Sequence, residues 1–132
     1  MTFPPALLGC DLRDGAPESE LLSAEKLLGQ TLPEDYKEIM RRSNGLEGFI
    51  AEESYLILWS ALELARLNLA YAVSESAPGS FLFGTDGGDT GYGFQVVRDY
   101  SEYIAVPLIG LNNEEILVCG RSFFDLLEHI TN

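Results

Sequence analysis

The sequence predicts an α+β fold in which a mostly antiparallel sheet is flanked by about four helices. Helix signals open and close the chain, whereas its middle alternates short apolar runs with turns rich in glycine and asparagine. The clearest strand signal is Phe81–Val97, where a Gly-Asp turn separates two runs of aromatic and branched residues, the pattern of a β-hairpin. Tyr92, Phe94 and Val96 alternate along its second strand, which predicts one buried face.

The N-terminal segment differs from the rest of the chain. Residues 1–17 carry three prolines and no periodic pattern, which predicts an arm packed through Leu7, Leu8 and Leu12. Residues 18–132 are then expected to form one domain, because a chain of 132 residues can bury roughly two thirds of its unfolded surface in a single core.

Two helices are predicted before the first long strand. One runs from Glu18 to Gly29, where the glycine favours a helix end. The stronger signal is Leu32–Gly45: Pro33 fits the first helical position, and acidic residues follow it. Arg41 and Arg42 place positive charge at the C-terminal end of the helix dipole.

The next segment combines two strands with a helix. Strands are predicted at Leu46–Ala51 and Tyr55–Trp59. Ser60 and Glu63 then form a capping box, which begins a helix running to about Val73. Apolar residues cover nearly all sides of this helix. It therefore lies in the core or leaves a face for a partner, and the core is the favoured interpretation.

The last third predicts a loop, the hairpin, two strands and a helix. The loop is Ser74–Ser80, and a polar turn at Arg98–Glu102 follows the hairpin. Strands are predicted at Tyr103–Leu108 and Glu115–Cys119. A second capping box, Ser122-x-x-Asp125, begins the closing helix.

The chain is strongly acidic. The chain has 21 acidic and 8 basic residues, a net charge of -13 and an isoelectric point near 4.2. Such a field repels nucleic acid and anionic membranes and attracts basic proteins, although solubility alone also accounts for it. We therefore expect no direct binding to nucleic acid or membranes.

Other bulk features favour a cytoplasmic protein. No run approaches the roughly 18 apolar residues of a membrane span. Leu7–Cys10 faintly resembles a lipoprotein cleavage box, but no basic segment precedes it, so no signal is expected. Cys10 and Cys119 match no metal spacing and are expected to be free thiols.

Three motifs in a fixed order carry a family resemblance. They are LPEDYKEIMRRSNG at Leu32–Gly45, FGTDGGDTGYGF at Phe83–Phe94, and a terminal apolar helix introduced by Gly120–Phe123. Together they resemble the SUKH superfamily, the Smi/Knr group of bacterial immunity proteins and fungal cell-wall regulators. The resemblance covers about Glu18 to Ile130.

This resemblance implies an α+β domain with a highly twisted sheet and no catalytic constellation. Bacterial members are largely immunity proteins, which bind and neutralise a polymorphic toxin, commonly a nuclease or a deaminase. Fungal members are signalling scaffolds. The compact chain lacks long extensions of the fungal type, which favours the bacterial role.

The residues themselves predict no enzyme, cofactor or metal site. His129 is the single histidine, and a surface position near a helix C-terminus is favoured over catalysis. The Asp86–Thr90 turn lacks the distal glutamate of a calcium loop, and its glycine spacing does not match a dinucleotide site. Paired glutamates could do acid–base work, but solvated charge is favoured.

Two functional hypotheses remain. In the first, a monomer or weak homodimer binds a basic toxin domain through acidic turns with an aromatic anchor, and the candidate contacts are Glu52, Glu53, Tyr55, Trp59, Asp86, Asp89, Glu114 and Glu115. For each carboxylate the alternative is plain solvated charge, and for Trp59 it is core packing. In the second, a scaffold or regulator binds an endogenous partner through the helix Ser60–Val73 or through sheet edges.

Overall fold

The computed structural model of the chain describes residues 3–132 and contains one seven-stranded sheet with five α-helices. The strands are β1 Asp11–Leu12, β2 Leu46–Ala51, β3 Ser54–Leu58, β4 Ser80–Thr85, β5 Thr90–Val97, β6 Tyr100–Pro107 and β7 Leu117–Gly120. The helices are α1 Glu18–Leu28, α2 Glu34–Arg42, α3 Leu64–Ala70, α4 Val73–Ser76 and α5 Phe123–Thr131. Strands pair in chain order, and every pairing is antiparallel. The predicted α+β class is confirmed.

The helix signals before β2 are also confirmed. Helix α1 ends at Gly29, which adopts a left-handed conformation with φ of 73°. Helix α2 follows Pro33, and its basic end is held by Arg41, which bonds Glu18 of α1 as well as acids of its own helix. These contacts join the two helices.

An aromatic cluster forms the centre of the core. Tyr36 of α2 stacks on Phe83 of β4 with ring centroids 4.5 Å apart. Phe123, the first residue of α5, lies 6.0 Å from Phe83 and 5.8 Å from Tyr103 of β6. All four side chains are fully buried. The cluster fixes α2 and α5 against the middle of the sheet.

Asp35 of α2 connects its helix to β6 and α5 through hydrogen bonds. Its carboxylate accepts from the Tyr103 hydroxyl and, at 2.6 Å, from the backbone N–H of Phe123. That N–H is one of the groups that a helix N-terminus leaves without an internal partner. A single carboxylate on α2 therefore satisfies a buried phenol of β6 and the start of α5.

The predicted hairpin is formed by β4 and β5, but β5 is buried on more than one face. Tyr92 and Phe94 are buried as expected, and so are Gly91 and Gly93 between them. A Cβ on Gly93 would lie 1.9 Å from the carbonyl oxygen of Phe81. The prediction of one buried face is wrong here, because the glycines let neighbouring chain segments approach the strand closely.

The predicted helix Ser60–Val73 is broken and is not sandwiched in the core. The capping box at Ser60 is present, but it begins a 3-10 turn that leads into α3. Ala72 has a positive φ of 53° and separates α3 from α4, which occupies part of the predicted loop. Leu62 is exposed, and Leu69 is 82% exposed. The helix therefore leaves an apolar face uncovered.

The polar residue Asn68 of α3, and not its neighbour Leu69, lies in the interior. It is buried, and its side-chain amide bonds the carbonyl of Leu64 and both backbone groups of Leu82, each at 2.8 Å. Leu82 lies at a register shift between β4 and β5, where the ladder leaves backbone groups to be satisfied. Asn68 thus ties α3 to the irregular part of β4.

The remaining differences lie in the N-terminal arm and in the last two strands. Within the predicted arm, whose first two residues lie outside the described range, Leu7 is buried but Leu8 and Leu12 are exposed. The arm contributes β1, which pairs with β2. Strand β6 begins earlier than predicted, at Tyr100, and a 3-10 turn precedes β7. The capping box at Ser122 is confirmed.

Candidate functional site

The sheet topology gathers three acidic turns at one end. When antiparallel strands follow chain order, successive connections alternate between the two ends of the sheet. The β2–β3, β4–β5 and β6–β7 connections therefore share an end, which we call the acidic end and define as residues 52–53, 86–89 and 108–116. It carries Glu52, Glu53, Asp86, Asp89, Glu114 and Glu115. The three connections contain no lysine or arginine.

The basic residues lie elsewhere in the fold. They are Arg13, Lys26, Lys37, Arg41, Arg42, Arg66, Arg98 and Arg121. Each is on a helix or in a segment that adjoins the opposite end of the sheet. Several also neutralise acids there, as Lys37 does with Glu25 at 3.1 Å. The acidic end therefore carries six of the 21 acidic residues and none of the eight basic residues.

Helix α5 adds to this negative potential. The Ser54 hydroxyl, beside the β2–β3 turn, donates to the carbonyl of Ile130 at 3.0 Å. This contact places the C-terminal end of α5, the negative end of its dipole, next to the acidic end. Glu128 lies in the same last turn and is exposed.

Two of the six carboxylates also build their own turns. Asp86 accepts from the backbone N–H groups of Gly88 at 2.8 Å and Thr90 at 3.1 Å. Asp89 accepts from the N–H of Ile109 at 2.8 Å, which joins the hairpin turn to the β6–β7 connection. These hydrogen bonds are sufficient to explain why aspartate occupies both positions, without a binding function.

The four glutamates have no such structural role in the described part of the chain. Glu52, Glu53, Glu114 and Glu115 are exposed, and no hydrogen bond or ion pair of their side chains occurs within residues 3–132. The turn that holds the last two is fixed by Asn112, whose side chain accepts from both of their N–H groups. They are therefore available for an external contact.

The two predicted aromatic contacts are separated. Tyr55 begins β3 near the acidic end, and the Gly87 turn packs against its ring. Trp59 follows the other end of β3, is only 7% exposed and stacks on Tyr71 with ring centroids 6.0 Å apart. The structure thus does not bring Trp59 to the acidic end. Phe49, which the sequence reasoning missed, pairs with Tyr55 across β2 and β3.

The family model for the SMI1 / KNR4 family (SUKH-1) matches residues 15–129. The chain belongs to that family. The match spans every helix from α1 to α4, nearly all of α5, and six of the seven strands. Among curated proteins, none matches the chain.

The histidine of this SMI1/KNR4 domain lies in a shallow pocket on α5 together with Cys119, Asp125 and Glu128. Within residues 3–132, no group of three or more histidine, cysteine or acidic side chains is arranged to hold a metal ion. No helix in that range has the length and apolar character for crossing a bilayer.

Both thiols of the domain are free and weakly acidic. Burial raises the pKa of Cys119 to about 11, and burial also raises the pKa of Cys10. The thiolate is the nucleophilic form of cysteine, so each side chain is overwhelmingly the unreactive thiol near neutral pH. Neither cysteine has the environment of a catalytic nucleophile.

A second surface feature is an apolar groove between α1, α3 and β4. It has a volume of about 270 Å³, and Leu27 and Leu69 form exposed parts of its wall. Phe81 and Leu28 line it as well. The groove corresponds to the uncovered side of α3 and is a distinct surface from the acidic end.

Proposed function

We propose that this SMI1/KNR4 domain is a non-catalytic, cytoplasmic immunity protein that neutralises a cognate polymorphic toxin by direct binding. The toxin is expected to be of the nuclease or deaminase class. The observation that carries the proposal is the acidic end, where six carboxylates lie together without a basic residue. Family membership supports a binding role, and the charge distribution indicates the kind of partner.

The physical argument is electrostatic complementarity. A nuclease holds phosphates and therefore has a cationic active-site groove. An anionic surface is steered toward such a groove and, once bound, excludes the substrate. Localised charge is more effective than the same charge spread evenly, because the exposed glutamates can approach the groove without bringing competing cations. No chemistry by the immunity protein is needed.

We expect loss of charge at the acidic end to slow toxin binding. The test variant carries Glu52→Gln, Glu53→Gln and Glu114→Gln, and the toxin is the product of the gene beside this one. At low ionic strength, stopped-flow measurements should show an association rate constant at least about tenfold below that of the unmodified chain. Salt should reduce this difference, because mobile ions screen exposed charges.

A matched variant removes three charges elsewhere, with Asp14→Asn, Glu75→Gln and Asp99→Asn. These exposed residues lie in connections at the opposite end of the sheet, so the association rate should stay within about twofold. Equal slowing in both variants would show that net charge alone matters. If co-expression with the toxin leaves its toxicity intact and no complex elutes at low salt, the immunity role is wrong.

The second candidate function is a scaffold or regulator that binds an endogenous partner. The exposed side of α3 and of the turn before it favours this function, since Leu69, which lines the apolar groove, and Leu62 both remain uncovered. Under this function, Leu69→Ser abolishes binding to the partner, whereas the acidic-end variant does not. The immunity role predicts the reverse. A deletion phenotype in the absence of any adjacent toxin gene would also favour the scaffold.

A further inference from the structure

The outer face of β1, β2 and β3 exposes an aromatic pair. Phe49 is 61% exposed and contacts Tyr55 edge-to-face, with ring centroids 4.8 Å apart and planes at 73°. The two residues are direct partners in the β2–β3 register. Large aromatic side chains that stand uncovered on a sheet are typical of contact surfaces, because burying them on binding yields more free energy than burying most other side chains.

The same face carries two opposed carboxylates. Asp11 and Glu47 are direct register partners across β1 and β2, an arrangement in which like charges destabilise the pairing. Among residues 3–132, no lysine or arginine nitrogen lies within 4 Å of either carboxylate. Two acidic side chains therefore lie opposite each other without a cationic partner from residues 3–132.

Tyr55 links the carboxylates to the aromatic pair. Its hydroxyl donates to Glu47, and this bond together with the nearby negative charges raises the pKa of the phenol. The bond holds one Glu47 oxygen beside the ring edge and leaves the other for a further donor. Negative charge and the exposed Phe49 side chain thus lie side by side.

We propose that this face, defined by Asp11, Glu47, Phe49 and Tyr55, binds an arginine side chain of the partner protein. The identity of the partner rests on the proposed function. A guanidinium satisfies both features at once, since it donates to carboxylates and stacks on aromatic rings. Lysine offers a compact, strongly hydrated charge that stacks less well.

The chain already contains arginine–aromatic contacts of this kind. The Arg121 guanidinium lies 3.7 Å from the Tyr100 ring centroid, and that of Arg42 lies 5.2 Å from the Phe3 centroid. Phe49 is also an accessible aromatic ring with Glu47 two residues before it on the same strand, and within residues 3–132 no arginine stacks on it. Charge complementarity therefore favours an arginine of the partner as the group that contacts this ring.

This face adjoins the acidic end. A Cβ on Gly87 would lie 3.2 Å from a ring carbon of Tyr55, so the β4–β5 turn rests against the Tyr55 ring. A partner that covers the acidic turns comes within reach of Phe49 without any rearrangement. The acidic end then steers the partner, and the aromatic face anchors it.

The test uses three capped pentapeptides, Gly-Gly-X-Gly-Gly, in which X is arginine, lysine or the neutral isostere citrulline. Each is titrated into the full chain while amide and aromatic NMR shifts are recorded. The arginine peptide should shift Phe49, Tyr55 and Glu47 and bind at least about threefold more tightly than the lysine peptide. The citrulline peptide should leave these signals unchanged.

Variants locate the binding site. Phe49→Ala should weaken the arginine peptide about threefold or more, and Glu47→Gln should do the same. Phe124→Ala, the same change at an exposed phenylalanine of α5, should have no effect. Shifts centred on the acidic turns, equal binding of citrulline, or insensitivity to Phe49→Ala would each overturn the inference.

The two proposals fail separately. If the unmodified chain does not neutralise the toxin but the arginine peptide still binds at Phe49, the immunity role fails and the arginine site stands. If the chain neutralises the toxin but the peptide does not shift Phe49, the arginine site fails and the immunity role stands.

Discussion

Asp35→Ala is expected to lower the free energy of unfolding by about 3 kcal/mol, because it leaves two groups without an acceptor. The Tyr103 hydroxyl is buried in the aromatic cluster, and the Phe123 N–H begins α5. Leaving a buried donor without an acceptor costs free energy that the folded state must bear. The loss is measured by urea unfolding, with the denaturant slope checked for constancy.

A double-mutant cycle separates this network from general damage. Tyr103→Phe removes the hydroxyl that Asp35 accepts from, so the two changes should be coupled by at least about 1 kcal/mol. Asp99→Ala removes an exposed aspartate in the β5–β6 turn and should change stability by less than about 0.5 kcal/mol. Additive effects of the Asp35 and Tyr103 changes would show that the hydrogen bond contributes nothing.

Gly93→Ala is expected to destabilise the fold by at least about 3 kcal/mol, or to prevent folding. The added Cβ would lie 1.9 Å from the Phe81 carbonyl oxygen and 2.7 Å from the Leu82 Cα. Both are backbone atoms inside the β4–β5 pairing, so no side-chain rotation can relieve the clash. Urea unfolding measures the effect, and soluble yield measures it if the variant does not fold.

Gly9→Ala is the matched control for this substitution. Nothing lies within 4 Å of a Cβ at that position, so its stability should change by less than about 0.5 kcal/mol. Near-equal stability of the Gly93 and Gly9 variants would contradict the close approach of β4 and β5.

Features encoded by adjacent residues could be predicted from the sequence. The capping boxes at Ser60 and Ser122, the glycine end of α1 and the hairpin at Phe81–Val97 all depend on residues within one or two turns of chain. Their signals are local hydrogen bonds and backbone preferences, which composition and spacing reveal. The element order and the α+β class followed from these signals.

Features that depend on distant residues could not be predicted. The bonds from Asp35 to Tyr103 and Phe123 span 68 and 88 positions. The break at Ala72 uses neither glycine nor proline, so the sequence carries no breaker signal there. Tertiary contacts determine both the Asp35 hydrogen bonds and the position of the helix break.

The candidate site could be predicted only in part, because its residues are local features but their arrangement depends on distant contacts. The acidic residues were visible one turn at a time, but only the strand order shows that their three turns share one end of the sheet. Predicting the contact of Phe49 with Tyr55 requires knowledge of the β2–β3 register. Predicting that Trp59 lies away from the acidic turns requires knowing that β3 runs from the acidic end to the opposite end of the sheet.

A chain-order sheet also separates the contacts that maintain the fold from some of its exposed links. The aromatic cluster and the Asp35 bonds lie between α2, α5 and the middle strands, whereas Glu52 and Glu53 form an exposed two-residue link between β2 and β3. Substitutions in such exposed links cost the fold little. If the proposed immunity role holds, the β2–β3 link can change to match a new toxin while the contacts of the core stay the same.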